Sequence, residues 1–221
     1  MRIVIGEGSC GIAAGADKVY DAIRSAMTAE DGISLGITGC IGMCFLEPIV
    51  DIYDDADELQ ARLVHVAADD AEAVLSAARS GDMSGVEGLK ITADDESFLT
   101  QQTRIALRHC GLIDPTDIDA YTATDGFKAI KKVVYEMKPE EVIDEIKVSG
   151  LAGRGGAGFP TWFKWNACRN AEGEHKHLIC NADEGDPGAF MDRAVLESDP
   201  YSLIEGMLIA AYAIGAEDAM I

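Results

Sequence analysis

Five glycines, Gly150, Gly153, Gly155, Gly156 and Gly158, fall within nine residues, directly ahead of a run from Thr161 to Arg169 that reads as a helix. That density rules out a regular helix or strand and demands a loop. Backbone without Cβ can approach a phosphate closely, and the helix N-terminus behind it offers unpaired N–H groups to an anion. Arg154 and Lys164 add positive charge. The spacing matches neither GxxxxGK(S/T) nor a GxGxxG turn, so it is neither of the usual nucleotide loops. Downstream, His177–Asn181 reads as a strand that ends in Asn181, Asp183, Glu184 and Asp186. Open α/β sheets place ligands at the C-terminal ends of their strands, where an amide suits a flavin edge and carboxylates suit ribose hydroxyls. The alternative for this turn is an Asx-rich cap on the next helix.

The rest of the chain divides in two. Residues 2–5, Ile33–Thr38, Ile49–Tyr53 and Leu63–Ala67 read as strands rich in β-branched residues. Asp17–Met27 and Ala71–Arg79 read as helices, the second ending at Gly81. The order β-α-β-β-β-α is that of a small α/β sandwich over residues 1–82. Ser80–Gly88 reads as a linker, and residues 97–147 as almost wholly helical: Phe98–Cys110, Phe127–Met137, and Glu140–Lys147 behind Pro139. Residues 83–147 are thus a linker and helical connector, and 148–221 a third segment with an apolar helix over Pro200–Gly215. Ala219–Ile221 reads as the first residues of a strand, so this segment is expected to be the opening part of a longer α/β fold.

Charge narrows the class of partner. Thirty-nine acidic residues against 18 basic give a net charge of −21, which repels nucleic acid. No apolar run reaches the length needed to span a bilayer, and the N-terminus lacks the regions of a signal peptide, so the expectation is a cytoplasmic protein without direct membrane insertion.

Six cysteines without a secretory signal point to metal or redox work rather than disulfides. Cys10, Cys40 and Cys44 form one group by sequence; Cys110, Cys168 and Cys180 are dispersed among apolar neighbours and read as small buried hydrophobes. His65, His109, His175 and His177 show no metal-ligand spacing.

Three stretches of the second half carry a resemblance. The motifs GxxGRGGAGFPTxxKW (from Gly150), CNADEGxPGxFxDR (from Cys180) and DPYxLIEGMxIAAYAxGA (from Asp199) closely resemble the NADH-binding flavoprotein subunit of respiratory complex I and of NAD-linked hydrogenases and formate dehydrogenases. The resemblance is strong from about Gln102 onward and looser before. It implies FMN against the glycine loop and NADH stacked on the flavin. By position, Gly153, Arg154, Gly155, Lys164, Asn181, Asp183 and Glu184 match FMN contacts. Gly156, Ala157, Phe159 and Asp186 match the nicotinamide nucleotide side. The chain departs from the pattern at Asp186 (usually Glu), Trp162 (usually Gly) and Ala152 (often Arg). Family members continue further, with a C-terminal cysteine set for a [4Fe–4S] cluster. The run Gly39–Pro48, with its C-x3-C pair, is similar to thioredoxin-like [2Fe–2S] ferredoxins, whose fourth cysteine would fall at Gly15. Three thiolates leave one position open to Glu7, Ser9, water or nothing; the alternative is a domain that has lost its cluster and serves docking.

The fold class expected is therefore α/β, with a thioredoxin-like N-terminal domain, a helical connector and the start of an FMN-binding α/β domain. The resemblance implies electron transfer from NADH through FMN to iron–sulfur clusters, with iron–sulfur subunits of an NADH-linked redox complex as partners. No catalytic acid or base is expected. The rival reading is a non-catalytic electron-transfer or docking subunit with an incomplete flavin site; a flavin enzyme acting on another substrate is a third.

Overall fold

The N-terminal Arg-Ile-Val-Ile run becomes β1 (Arg2–Gly6), followed by the short α1 (Ser9–Ala14) and α2 (Ala16–Ala26), then β2 (Ser34–Thr38). The computed structural model describes residues 1–173 and 175–221. β3 (Val50–Tyr53) and β4 (Leu59–Leu63) complete a four-stranded sheet of order β2-β1-β3-β4, with β2 parallel to β1 and β3 antiparallel to both β1 and β4. This β-α-β followed by a β-hairpin and α3 (Ala71–Ser80) is the thioredoxin-like arrangement. Period-2 alternation aims Ile3, Ile5, Val50, Ile52 and Leu63 at one face, where Val19 and Ile23 of α2 and Val74 and Leu75 of α3 cover them. The opposite face carries Asp51, whose carboxylate accepts two hydrogen bonds from its cross-strand partner Arg62, at 2.8 and 2.6 Å.

Three expectations fail here for physical reasons. The fourth strand is Leu59–Leu63, not Leu63–Ala67. A tight turn at Asp54–Glu58, with Asp57 at positive φ, fixes the hairpin register early, and Val64 N–H is already committed to the Leu89 carbonyl. Ser80–Gly88 is not a bare linker: Met83–Leu89 is a 3-10 helix that buries Val86 in the same core as α3. The helix expected at Phe98–Cys110 is instead α4 (Ala93–Thr100). Thr92 caps it by accepting from Asp95 N–H, and Asp94, Asp95 and Glu96 load its first turn with negative charge, which favours an earlier start. Residues beyond Thr100 turn irregularly, with Arg104 donating to the carbonyls of Ile41 and Cys110.

The remaining elements are α5 (Ile118–Ala123), α6 (Lys128–Glu136), α7 (Pro139–Ser149), α8 (Thr161–Asn170), β5 (His177–Ile179), α9 (Met191–Ser198), α10 (Pro200–Ile214) and β6 (Asp218–Met220). Two compact units result, one of Met1–Ala120 with Arg193–Asp199, the other of Tyr121–Asp192 with Pro200–Ile221. α9 therefore belongs to the first unit: its Ser198 lies so close to Gly39 that a Cβ there would sit 1.9 Å from the Ser198 Oγ.

In the second unit α7 starts on Pro139, with Glu141 accepting from Lys138 N–H at 2.7 Å, and ends at Gly150 in the left-handed conformation. Val133, Val142, Ile143 and Ala213 form its core. β5 and β6 pair in parallel.

Glu205 on α10 ties this unit together. Its buried carboxylate accepts from Tyr121 Oη at 2.5 Å and from the N–H groups of Phe127 and Ile130 at 2.8 and 3.0 Å. Burial pushes its pKa up, but the hydrogen bonds from Tyr121 and three backbone amides outweigh burial and hold it below the ordinary glutamate value. A carboxyl depressed in the folded state stabilises above its unfolded pKa and loses that contribution as pH falls through the folded one. Glu205→Ala strands its donors in an apolar site and is expected to cost about 3 kcal/mol. In thermal melts followed from neutral pH to below about 4.5, the gap between wild type and variant should narrow; a gap independent of pH would contradict the assignment.

Candidate functional site

Two places in the chain gather chemistry, and the sheet builds the first. β1 and β2 run parallel, so the loops that follow them leave the same edge; the first holds Cys10 and the second Cys40. Their sulfurs and that of Cys44 all lie within 4.8 Å of one another, and Cys40 and Cys44 are 3.6 Å apart. Cys40 is buried, Cys10 half-buried and Cys44 at the surface. Gly8 lets the first loop close on the second, since a Cβ there would meet Cys40 backbone at 3.0 Å. The Cys40 thiol is drawn down to about 6 by its hydrogen bond with Cys10, with Gly42 N–H donating to Sγ as well, while Cys10 is pushed up as the donor of that pair. The three sulfurs thus sit within one hydrogen-bonded group. Two ligands on one tetrahedral metal, with metal–sulfur bonds of about 2.3 Å, lie about 3.7 Å apart, and the Cys40–Cys44 pair meets that spacing. The donor set fits an iron–sulfur or other thiophilic centre.

Glu47, a residue that the sequence did not single out, closes this pocket. It is 7% exposed, its Oε1 lies 3.7 Å from Cys10 Sγ, and its Oε2 accepts from Ile49 N–H at 2.9 Å. Burial pushes its carboxyl up to about 7. The signal available was its place in the run Cys40–Pro48, three residues beyond Cys44. Cys110 is fully buried, donating towards the Ala194 carbonyl, and His109 is a buried partner of Asp199 at 2.7 Å, so neither joins the thiol group. His65, His175 and His177 are exposed.

The second place is the glycine loop. Gly153 N–H donates to the Phe159 carbonyl at 2.7 Å, Ala152 bridges Pro160, and Thr161 N–H donates to the Leu151 carbonyl at 3.0 Å. These bonds close a hairpin whose tip, Arg154, Gly155, Gly156, Ala157 and Gly158, is exposed. Gly156 and Gly158 are at positive φ, which glycine alone adopts without strain, and a Cβ on Gly155 would meet no protein atom within 4 Å. The space beside the tip is open, and Arg154 and Lys164 are both exposed. Lys164 Nζ lies 5.7 Å from the Phe159 ring centre. At the end of β5, Asn181 Oδ1 accepts from Asp183 N–H at 3.0 Å, and Glu184 Oε1 accepts from Asp192 N–H at the start of α9 at 2.9 Å. The helix-capping alternative for this turn is thus realised at Glu184, while Asp183 and Asp186 are exposed.

Trp162 does not project into the loop. It packs against the core of Val133, Val142, Ile143 and Ala213, with Lys147 Nζ 4.7 Å from its ring centre.

A thioredoxin-like sheet that gathers three thiols and an exposed glycine hairpin give the chain two candidate cofactor sites. Residues 146–221 match the family described as the Nuo51 FMN-binding domain. The subunit HndC of the NADP-reducing hydrogenase of Solidesulfovibrio fructosivorans is 56% identical over 116 residues, 52% of this chain and 23% of that relative. The alpha subunit of the NAD-reducing hydrogenase HoxS of Cupriavidus necator is 35% identical over 211 residues, 91% of this chain and 34% of that subunit. The crystal structure of the thioredoxin-like [2Fe–2S] ferredoxin from Aquifex aeolicus is similar over 41% of this chain and 95% of the ferredoxin, at 16% identity and a TM-score of 0.34. The chain spans well under half the length of the curated relatives that it matches. No helix among the described residues is long and apolar enough to cross a membrane.

Trp162→Ala removes a large ring from the second unit's core and the cation–π contact of Lys147. It is expected to cost about 2 kcal/mol in chemical denaturation. A variant as stable as wild type would show that the indole is not a core residue.

Proposed function

We propose that this chain is the cofactor-bearing front part of an NADH-oxidising flavoprotein subunit, passing electrons from NADH through FMN to iron–sulfur clusters. The observation that carries the reading is the exposed glycine hairpin, flanked by Arg154 and Lys164, inside a segment of the Nuo51 FMN-binding family. In functional terms, residues 1–82 hold the cluster, 83–147 connect, and 148–221 bind the flavin.

Bound FMN supplies the change from two-electron to one-electron chemistry that separates nicotinamide from iron–sulfur centres. Gly153, Gly155 and Gly156 leave room for phosphate and ring, Arg154 and Lys164 neutralise the phosphate, and Asn181, Asp183 and Glu184 bind flavin and ribitol at the strand end. Gly156, Ala157, Phe159 and Asp186 line the nicotinamide nucleotide side. Cys10, Cys40 and Cys44 hold a single binuclear cluster. The partners are iron–sulfur subunits of an NADH-linked complex, with the chain on the cytoplasmic side of that assembly. HndC, by name part of an NADP-reducing enzyme, favours a second reading in which the nucleotide is NADP(H). Against it stand Glu184 and Asp186, whose negative charge opposes a 2′-phosphate.

Gly155→Val fills the open space beside the hairpin tip without touching protein. It should abolish FMN retention, read as loss of the yellow flavin spectrum, while circular dichroism stays unchanged. Full retention of flavin would refute the site, and a wild-type protein that never takes up FMN would favour the docking reading. In a complex that also carries the remainder of the flavoprotein, anaerobic titration should bleach the flavin with NADH at least about tenfold more readily than with NADPH. Equal bleaching by the two nucleotides would contradict the preference.

A further inference from the structure

The thiol pocket has three sulfurs, and a binuclear cluster takes four protein ligands. The structure narrows the donors available for the fourth place. Gly15 offers no side chain and sits in the left-handed turn after α1. Ser9 donates both its N–H and its hydroxyl to Glu197. Glu47 stands within the pocket.

Its carboxylate is held there by construction. Oε2 is fixed by Ile49 N–H, which leaves Oε1 facing Cys10 Sγ at 3.7 Å, about the separation of two ligands on one tetrahedral metal. The opposite pair, Cys40 and Cys44, is 3.6 Å apart. Room for the carboxylate comes from two glycines: a Cβ on Gly6 or on Gly11 would stand 3.2 or 3.3 Å from its oxygens. A cation in the site would stabilise the carboxylate form that burial disfavours.

We propose that Glu47 is the fourth ligand of the N-terminal binuclear cluster, completing the set of Cys10, Cys40 and Cys44. The inference rests on the cluster reading given above. Three thiolates and one carboxylate bind as anions, their protons leaving to solvent, so the set carries the same charge as four thiolates. Oxygen is a poorer donor than sulfur to iron, so the two irons would be inequivalent and the one that Glu47 holds would be the labile one.

The test uses the full chain, reconstituted anaerobically with ferrous iron and sulfide, in wild type, Glu47→Ala, Glu47→Cys, Ser9→Ala and Cys44→Ser forms, each checked for fold by circular dichroism. Wild type should bind up to two irons, and Mössbauer spectra of the oxidised protein should show two ferric sites of different isomer shift. Glu47→Cys should retain the cluster, bring the two sites close to equivalence and intensify the visible thiolate-to-iron absorption. Glu47→Ala should shorten the cluster's lifetime in air by about tenfold or more, and Ser9→Ala should leave it unchanged. Wild-type spectra and lifetime in Glu47→Ala, or two equivalent irons in wild type, would overturn the ligand assignment while the cluster reading stood. No iron in wild type, or iron that survives Cys44→Ser undiminished, would overturn the cluster reading and the assignment with it. Glu47→Cys supplies a folded, positive readout should the alanine variant fail to fold.

Discussion

The ladder between β1 and β2 runs from Arg2 opposite Ser34 to Gly6 opposite Thr38, and because it is parallel both strands finish on one edge of the sheet. That pairing is the condition for everything the first unit does. It carries the Cys10 loop and the Cys40 loop to the same place from positions thirty residues apart, and the antiparallel partner β3, entered through Glu47 and Pro48, brings the carboxylate in from the other side. An antiparallel β1–β2 pair would have put the two cysteine loops at opposite ends of the sheet. The Asp51–Arg62 ion pair and the Ile3, Ile5 and Ile52 face hold the register, and a slip of one residue would turn the apolar set out of the core.

The candidate cofactor sites draw on three separate kinds of local physics. Thiols are concentrated by topology, the glycine hairpin is shaped by glycine's tolerance of positive φ, and the acidic turn is organised by side chains that bond their own backbone. The Glu184 carboxylate receives the first turn of α9. A turn that caps a helix is also a turn whose carboxylates are held in place.

Much of this was legible in the sequence. The strand-helix-strand order, the Gly81 stop, the Pro139 start and the Gly150 loop all follow from local signals that the structure repeats. The misread stretches are those where tertiary contacts decide. β4 starts at Leu59 because a hairpin turn sets its register, and residues 101–117 are irregular because Arg104 is used to pin two carbonyls. Glu47 escaped notice because its meaning depends on Gly6 and Gly11, which lie some forty residues away and are brought beside it only by the sheet. Trp162 stands where the family pattern has Gly, and sequence position gives no direction for its ring, whereas α8 turns the indole into the helical core.

α9 lies between stretches of the second unit yet supplies residues 193–199 to the first. Gly39 receives Ser198, Glu197 accepts from Ser9, and Asp199 pairs with His109. The chain therefore leaves the second unit, returns to the first and comes back again, so no single scission of the polypeptide separates the two. A gene split or shuffled at residue 120 would deliver an N-terminal module without the helix that closes its cysteine loop. Such interleaving ties the two units into one block of chain, in which the module at the front is incomplete without residues 193–199.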